Sequence, residues 1–404
     1  MNQINLFLTI ILSYIYAELY GMTTNDYYNV SSSKDINESV RSKRKVKGHV
    51  CFRWNLPINV YIDSKLGFKI VYKALQEIKE TTCIRFNHIT RLLNGVDGIY
   101  YKYSNECGSA VGKRFNHKWQ EIYISPECNT VGSIQHETLH ALGIEHEHSR
   151  IDRDKYLYFF PRNMNRRFEE DFERVHCDDS ETYGLPYDYG SIMHYRAVSF
   201  TRNEKLTIIP RHTLYSKTIG QEQTLSFLDI QTLNAHYCSR SCKFKISCSN
   251  FGYQNPNDCR RCICVEGFTG YNCAEYAKSN LFCGANRLLA ENSIKTLKQY
   301  GKKNCVYHIF AAKGRKIQIE IVKSEIYPLK RQRFECSPTN TLEVKYWADK
   351  RVTGARFCGK DTYVNFVSYN NHVIVYYRSM YFKNNFKLRY RAYIYHKISA
   401  VLKK

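Results

Sequence analysis

The sequence predicts an α+β domain, then a small disulfide-rich module, then an all-β sandwich, and three observations carry that prediction. Between Trp54 and Leu142, short alternating segments are interspersed with segments of helical period. Six cysteines fall within the thirty-two residues from Cys242 to Cys273, a stretch with too little core to hold without cross-links. From Cys283 onward the alternation lengthens and four cysteines remain, the texture of a sandwich.

Residues 1–17 read as a signal peptide: Leu6 to Leu12 form a short apolar run and Ala17 offers a small residue for cleavage. No other segment is long enough to span a bilayer, so no integral membrane segment is expected. Sixteen cysteines agree with secretion into the extracellular space, because that many persist as disulfides only under oxidising conditions. Residues 18–44 are polar and end in Arg41-Ser42-Lys43-Arg44, which reads as a propeptide with its processing site, or else as a solvated basic linker. The sequons at Asn29 and Asn37 mark a glycoprotein, and processing would remove both.

A hydrophobic content of 43% excludes a chain disordered throughout. The formal charge of +23 has two readings: attraction to anionic surfaces such as an acidic matrix, or simple solubility. Nucleic acid is set aside as a partner for a secreted chain.

Next in order, Ile58 to Ile62 alternates like a strand, while Ile70, Val71, Ala74, Leu75 and Ile78 recur at helical spacing. Gly98 to Tyr103 and Glu121 to Ile124 again read as strands, giving a mixed sheet with a helix on it. A second helix is expected from Ser133 to Leu142. On it His136 and His140 lie four apart and so share a face. Two imidazoles converging on one point suit a zinc ion, and Glu137 beside them is placed to take a proton from water. Gly143 permits a positive φ, so the helix can stop there and turn His146 towards the same point. Three nitrogen ligands leave a position open, the arrangement of a catalytic rather than a structural site.

A distant stretch, Tyr187-Asp188-Tyr189-Gly190-Ser191-Ile192-Met193-His194-Tyr195, completes a pattern. HExxH followed by the glycine, the third histidine and a methionine turn resembles the metzincin peptidases, whose catalytic domain is two-lobed. Glu147, Arg150, Asp152, Arg153 and Asp154, together with Ser191 to Tyr195, resemble the astacin family in particular. The resemblance implies a metalloendopeptidase at 45–239 with one Zn2+, held by His136, His140 and His146, and with Glu137 as general base and then acid. It implies Met193 as the floor beneath the metal, Tyr195 as a hydroxyl donor to the oxyanion, and Glu147 as the partner of a new amino terminus at Lys45. The aspartate of the family's Phe-x-Gly-Asp prosegment motif has no counterpart between Glu18 and Arg44.

Arg211 stands where acid-preferring members have a basic residue lining the pocket after the scissile bond. It is read either as that specificity residue or as a merely solubilising arginine. The family framework pairs Cys83 with Cys238 and Cys107 with Cys128. Cys51 and Cys177 are left over and are inferred to pair with each other. Cys264 to Cys273 resembles the end of an EGF-like module (240–274), implying the pairs Cys242–Cys259, Cys248–Cys262 and Cys264–Cys273. Cys283, Cys305, Cys336 and Cys358 resemble those of a CUB-like domain (283–397), with sequential pairing and no evident calcium ligands. Protein substrates, extracellular matrix or secreted, are the expected partners, and Lys330, Arg331 and Arg333 are candidates for meeting anionic ones. The competing class is a catalytically silent adhesion protein on the same fold. The intact ligand set and Glu137 argue against it.

Overall fold

The computed structural model describes residues 46–47, 53–175, 180–278, 280–329 and 335–393. The proposed leader and processing site, Lys45, Cys51, Cys177, Lys330, Arg331 and Arg333 therefore lie outside the described residues.

The first domain opens with β1 (Val46–Lys47) and β2 (Ile58–Ile62), followed by α1 (Phe68–Thr81). Val71, Ala74, Leu75 and Ile78 of α1 are buried, which is why the sequence shows a 3.6 period there. Then come β3 (Phe86–His88), β4 (Gly98–Tyr103), β5 (Gly108–Ser109) and β6 (Trp119–Ile124). These strands assemble in the order β3-β2-β4-β6-β5, parallel except at the edge pair β5 and β6. Helix α2 (Val131–Ala141) packs beside α1. The lower half is mostly turns and short bridges, with β7 (Leu157–Phe159), β8 (Ser180–Glu181), β9 (Ile208–Pro210) and α3 (Phe227–Tyr237). β1 pairs with β8 and β7 with β9.

The small module holds β10 (Tyr253–Asn255), β11 (Asp258–Ile263), β12 (Phe268–Thr269) and β13 (Glu275–Tyr276) as two antiparallel ribbons. It is laced by disulfides joining Cys242 to Cys259, Cys248 to Cys262 and Cys264 to Cys273. Those cross-links stand in for a core that so short a stretch cannot supply.

The last domain runs through β14 (Arg287–Leu289), β15 (Lys295–Tyr300), β16 (Asn304–Phe310) and β17 (Lys316–Ile326). It continues with β18 (Thr341–Lys345), β19 (Ala355–Phe357), β20 (Gly359–Val367), β21 (His372–Arg378) and β22 (Asn385–Tyr393). Its two sheets, β14-β16-β21-β18-β19 and β15-β22-β17-β20, enclose residues such as Ile317, Ile319, Val375 and Leu388. Cys283–Cys305 and Cys336–Cys358 close its loops.

The sandwich is not a separate bead. Its Tyr346 and Trp347 pack on Tyr189 and Tyr215 of the lower half of the first domain, in one apolar cluster. The Thr353 backbone N–H and hydroxyl donate to the buried Asp188 carboxylate at 2.9 and 3.2 Å. Cys336 donates its N–H to the Lys217 carbonyl, and Lys217 in turn pairs with Asp361. Groups 165 positions apart thereby satisfy each other in a buried contact, where an unpaired carboxylate would be costly.

Candidate metal centre

Helix α2 begins where the Thr130 hydroxyl accepts from the Ser133 N–H, a side-chain cap on an otherwise orphan donor. Gly132 lets its first turn press on the chain at Glu222: a Cβ there would lie 2.0 Å from the Glu222 carbonyl oxygen. The helix ends at Gly143, whose φ of 97° suits glycine, and the Gly143 and Ile144 N–H groups donate back to the carbonyls of His140 and Leu139. His146 follows three residues after this stop and immediately precedes the short turn Glu147–Ser149.

One ligand atom from each of His136, His140 and His146 lies within 4.8 Å of the others. His136 Nδ1 sits 2.8 Å from the Ile192 carbonyl and His140 Nδ1 the same distance from the Ile144 carbonyl. A carbonyl can only accept, so each Nδ1 carries the proton and each Nε2 lone pair is left for the centre. His140 and His146 Nε2 stand 3.1 Å apart. Burial, ahead of the influence of neighbouring histidines, pushes the His140 imidazole down to about 3 and holds His146 well below the ordinary range. Neutral imidazoles are the form that ligates a metal.

Glu137 lies beside them with Oε2 buried and without a hydrogen-bond partner among the described residues. Burial raises its carboxyl above the usual range; His136 opposes the shift and Glu222 adds to it. A carboxylate oxygen in want of a donor, next to three converging ring nitrogens, suits a zinc site with a bound water. The residues therefore fit the ion.

Met193, fully buried, is held from two sides. Its carbonyl accepts from the Glu147 N–H, and the Ser191 hydroxyl accepts from the Met193 N–H. Asp229, at the start of α3, anchors this turn by accepting from the Ser191 hydroxyl at 2.6 Å and the Ile192 N–H at 2.9 Å. Tyr195 packs against His146 and stacks on His148 with ring centres 3.8 Å apart. Burial, with Asp171 and Glu137 nearby, raises its phenol, so it stays protonated and able to donate. His148 and His194 point elsewhere: His148 Nε2 meets the Asp171 carbonyl, and His194 lies between the Tyr195 carbonyl and the Tyr187 hydroxyl.

Glu147 is buried; its Oε1 accepts from the Asp188 N–H at 2.8 Å and from Arg150 at 3.3 Å. Arg150, also buried, makes a two-pronged pair with Asp152 at 2.9 and 3.0 Å. Arg211 is exposed, its guanidinium 4.0 Å over the Tyr158 ring. Arg196 lines the cleft with Glu222, Ser199 and Phe200, in a cavity of about 270 Å³ that also holds His136, Glu137 and Tyr195. Arg196 pairs with Glu222 at 3.2 Å and, at 3.7 Å, with Glu335 of the sandwich. Its position directly after Tyr195 is the available signal, but no periodicity marks a loop residue. The catalytic-domain disulfides join Cys83 to Cys238 and Cys107 to Cys128, and both cysteines of the latter line the cavity.

A helix with two ligands, a glycine stop, a third ligand and a methionine turn beneath define the metzincin class of peptidase domains. Residues 48–238 match the family model described as Astacin, a peptidase family, and residues 283–390 that of the CUB domain. Residues 48–238 thus form an astacin domain, a kind of domain that uses one zinc ion. It is 32% identical over 352 residues to the zinc metalloproteinase nas-34 of Caenorhabditis elegans, covering 86% of this chain and 57% of the relative. It is 33% identical to the zinc metalloproteinase dpy-31 of Haemonchus contortus, covering 84% and 64%. Among solved structures, high choriolytic enzyme 1 of medaka matches at 28% identity and a TM-score of 0.41, over 51% of this chain and 98% of that one. The chain spans about half the length of the curated relatives it matches.

Proposed function

We propose that the protein is a secreted zinc metalloendopeptidase that hydrolyses peptide bonds of extracellular proteins. The observation that carries this reading is the buried Glu137 oxygen, without a hydrogen-bond partner among the described residues, beside three imidazoles whose ring nitrogens converge. Zinc supplies Lewis acidity to such a site when bound. Glu137 takes the proton of the attacking water and delivers it to the leaving amine, a task that suits a carboxyl raised towards neutrality by burial. The Tyr195 hydroxyl donates to the oxygen on which charge develops.

Processing after Arg44 would remove residues 18–44, and the carboxylate meant to receive Lys45 is Glu147. Glu147 already accepts from Arg150, so the new ammonium would join an existing charge network rather than neutralise a lone carboxylate. An acidic preference after the scissile bond attaches to Arg211. Because that guanidinium is exposed, solvent screening makes the preference a weak one. Residues 240–274 are read as an EGF-like module that, with the sandwich, recruits substrates.

The test is incubation of protein beginning at Lys45 with a denatured proteome, with and without chelator, beside Glu137→Ala, mapping new amino termini. Chelator-sensitive cleavage that falls at least about a hundredfold in the variant is expected. The absence of chelator-sensitive cleavage would leave the adhesion reading.

A further inference from the structure

Three loops meet at one end of the sandwich. Lys303 Nζ donates to the Phe282 carbonyl at 3.2 Å, the Gly301 N–H to the Asn384 carbonyl at 2.8 Å and the Ser379 N–H to the Lys303 carbonyl at 3.0 Å. These contacts, with the Cys283–Cys305 disulfide, fasten 280–284, 300–304 and 379–384 side by side. Their tips are apolar and bare: Leu281 is 94% exposed, Phe282 79%, Tyr300 74% and Phe382 84%, with Met380 and Tyr381 about half exposed beside them. The three segments contain no aspartate or glutamate, while Lys278, Lys302 and Lys383 stand exposed on and beside them. Lys303 lies 4.9 Å over the Tyr300 ring.

Isolated apolar side chains on a surface need no account, but a group of six at one end, whose loops carry charge of one sign only, does. We propose that this end docks the protein on an anionic phospholipid surface. Leucine and phenylalanine tips enter the headgroup and acyl boundary, tyrosines settle at headgroup level, and lysines reach the phosphates with their stems along the apolar layer. A sulfated polysaccharide would reward the lysines but leave Leu281 and Phe382 in water. A protein partner is expected to meet a patch with a mixed polar rim, whereas here the loops carry charge of one sign. The end also lies near the cleft. Met380 Sδ meets the Thr339 hydroxyl, and Ser337 donates to Gln223, the neighbour of the cleft residue Glu222.

The experiment is flotation of the full chain with vesicles of phosphatidylcholine alone or with phosphatidylserine, beside retention on a sulfated polysaccharide. Binding to the phosphatidylserine vesicles, weakened by salt, is expected. Phe282→Ser with Phe382→Ser should cut it by more than about tenfold, and Lys302→Glu with Lys383→Glu by at least as much. All four positions are exposed, so thermal unfolding of the variants should match that of the parent. No binding, binding that the serine variants retain, or retention by the polysaccharide alone would overturn the proposal. The reading does not depend on peptidase activity, and flotation measures it in Glu137→Ala equally well.

Discussion

At the scale of single residues, the site separates groups that hold from groups that react. His136 and His140 each spend one ring nitrogen on a backbone carbonyl and keep the other for the metal. Tyr195 packs its ring on His146 and His148, and under the proposed mechanism its hydroxyl serves the substrate. Tyr195→Phe keeps that stacking, so its effect should fall on kcat, by about a hundredfold, with KM little changed; steady-state kinetics on one peptide checks it. The histidines and Glu137 are legible in the sequence because helical spacing and a glycine stop are local facts. Arg196 is not legible, since what brings it to the cleft is a loop and what fixes it is Glu222 and Glu335, 26 and 139 positions on. Arg150 is visible as a motif residue, but its partnership with Glu147 needs the folded turn.

At the scale of elements, α2 and the methionine turn are positioned by α3, which contributes no ligand. The Asp229 carboxylate accepts from Ser191, Ile192 and Ser226, and the Ile192 carbonyl beyond it orients His136. Asp229→Ala leaves those buried donors unmatched. It should cost about 2 kcal/mol of stability and weaken zinc binding by about ten- to a hundredfold, read by chelator competition. Helix α1 and the strands around it are legible from their periods, because each buries one face. The lower half is not: its short bridges and single turns are fixed by side-chain hydrogen bonds such as these, which leave no period in the sequence.

At the scale of the whole molecule, charge ties the parts together. Glu343 of the sandwich is buried between Arg356 at 3.1 Å and Arg378 at 3.0 Å, and Arg378 also grips Glu266 of the small module at 2.6 Å. Burial alone would raise the Glu343 carboxyl. Arg378 and Arg356, with Lys345 behind them, outweigh it and hold the carboxyl at about 2, below its ordinary value near 4.5. A depressed pKa stabilises the fold above the unfolded value, and that contribution is lost as pH falls from about 4.5 through about 2. Glu343→Gln should therefore lower stability near neutral pH by about 3 kcal/mol, and the gap from the parent should close across that acid window in denaturant titrations. None of this is legible from sequence. Linear order shows three modules, but it cannot show Thr353 donating to Asp188 or Trp347 lying against Tyr215.

That buried contact between Thr353 and Asp188 also sets reach. A sandwich on a slack tether would let the cleft sweep a volume around whatever the sandwich grips, cutting at any susceptible bond within range. If, as proposed, the sandwich recruits substrates, sharing a core with the catalytic half makes it a ruler that offers bonds at one offset and one angle from the point of attachment.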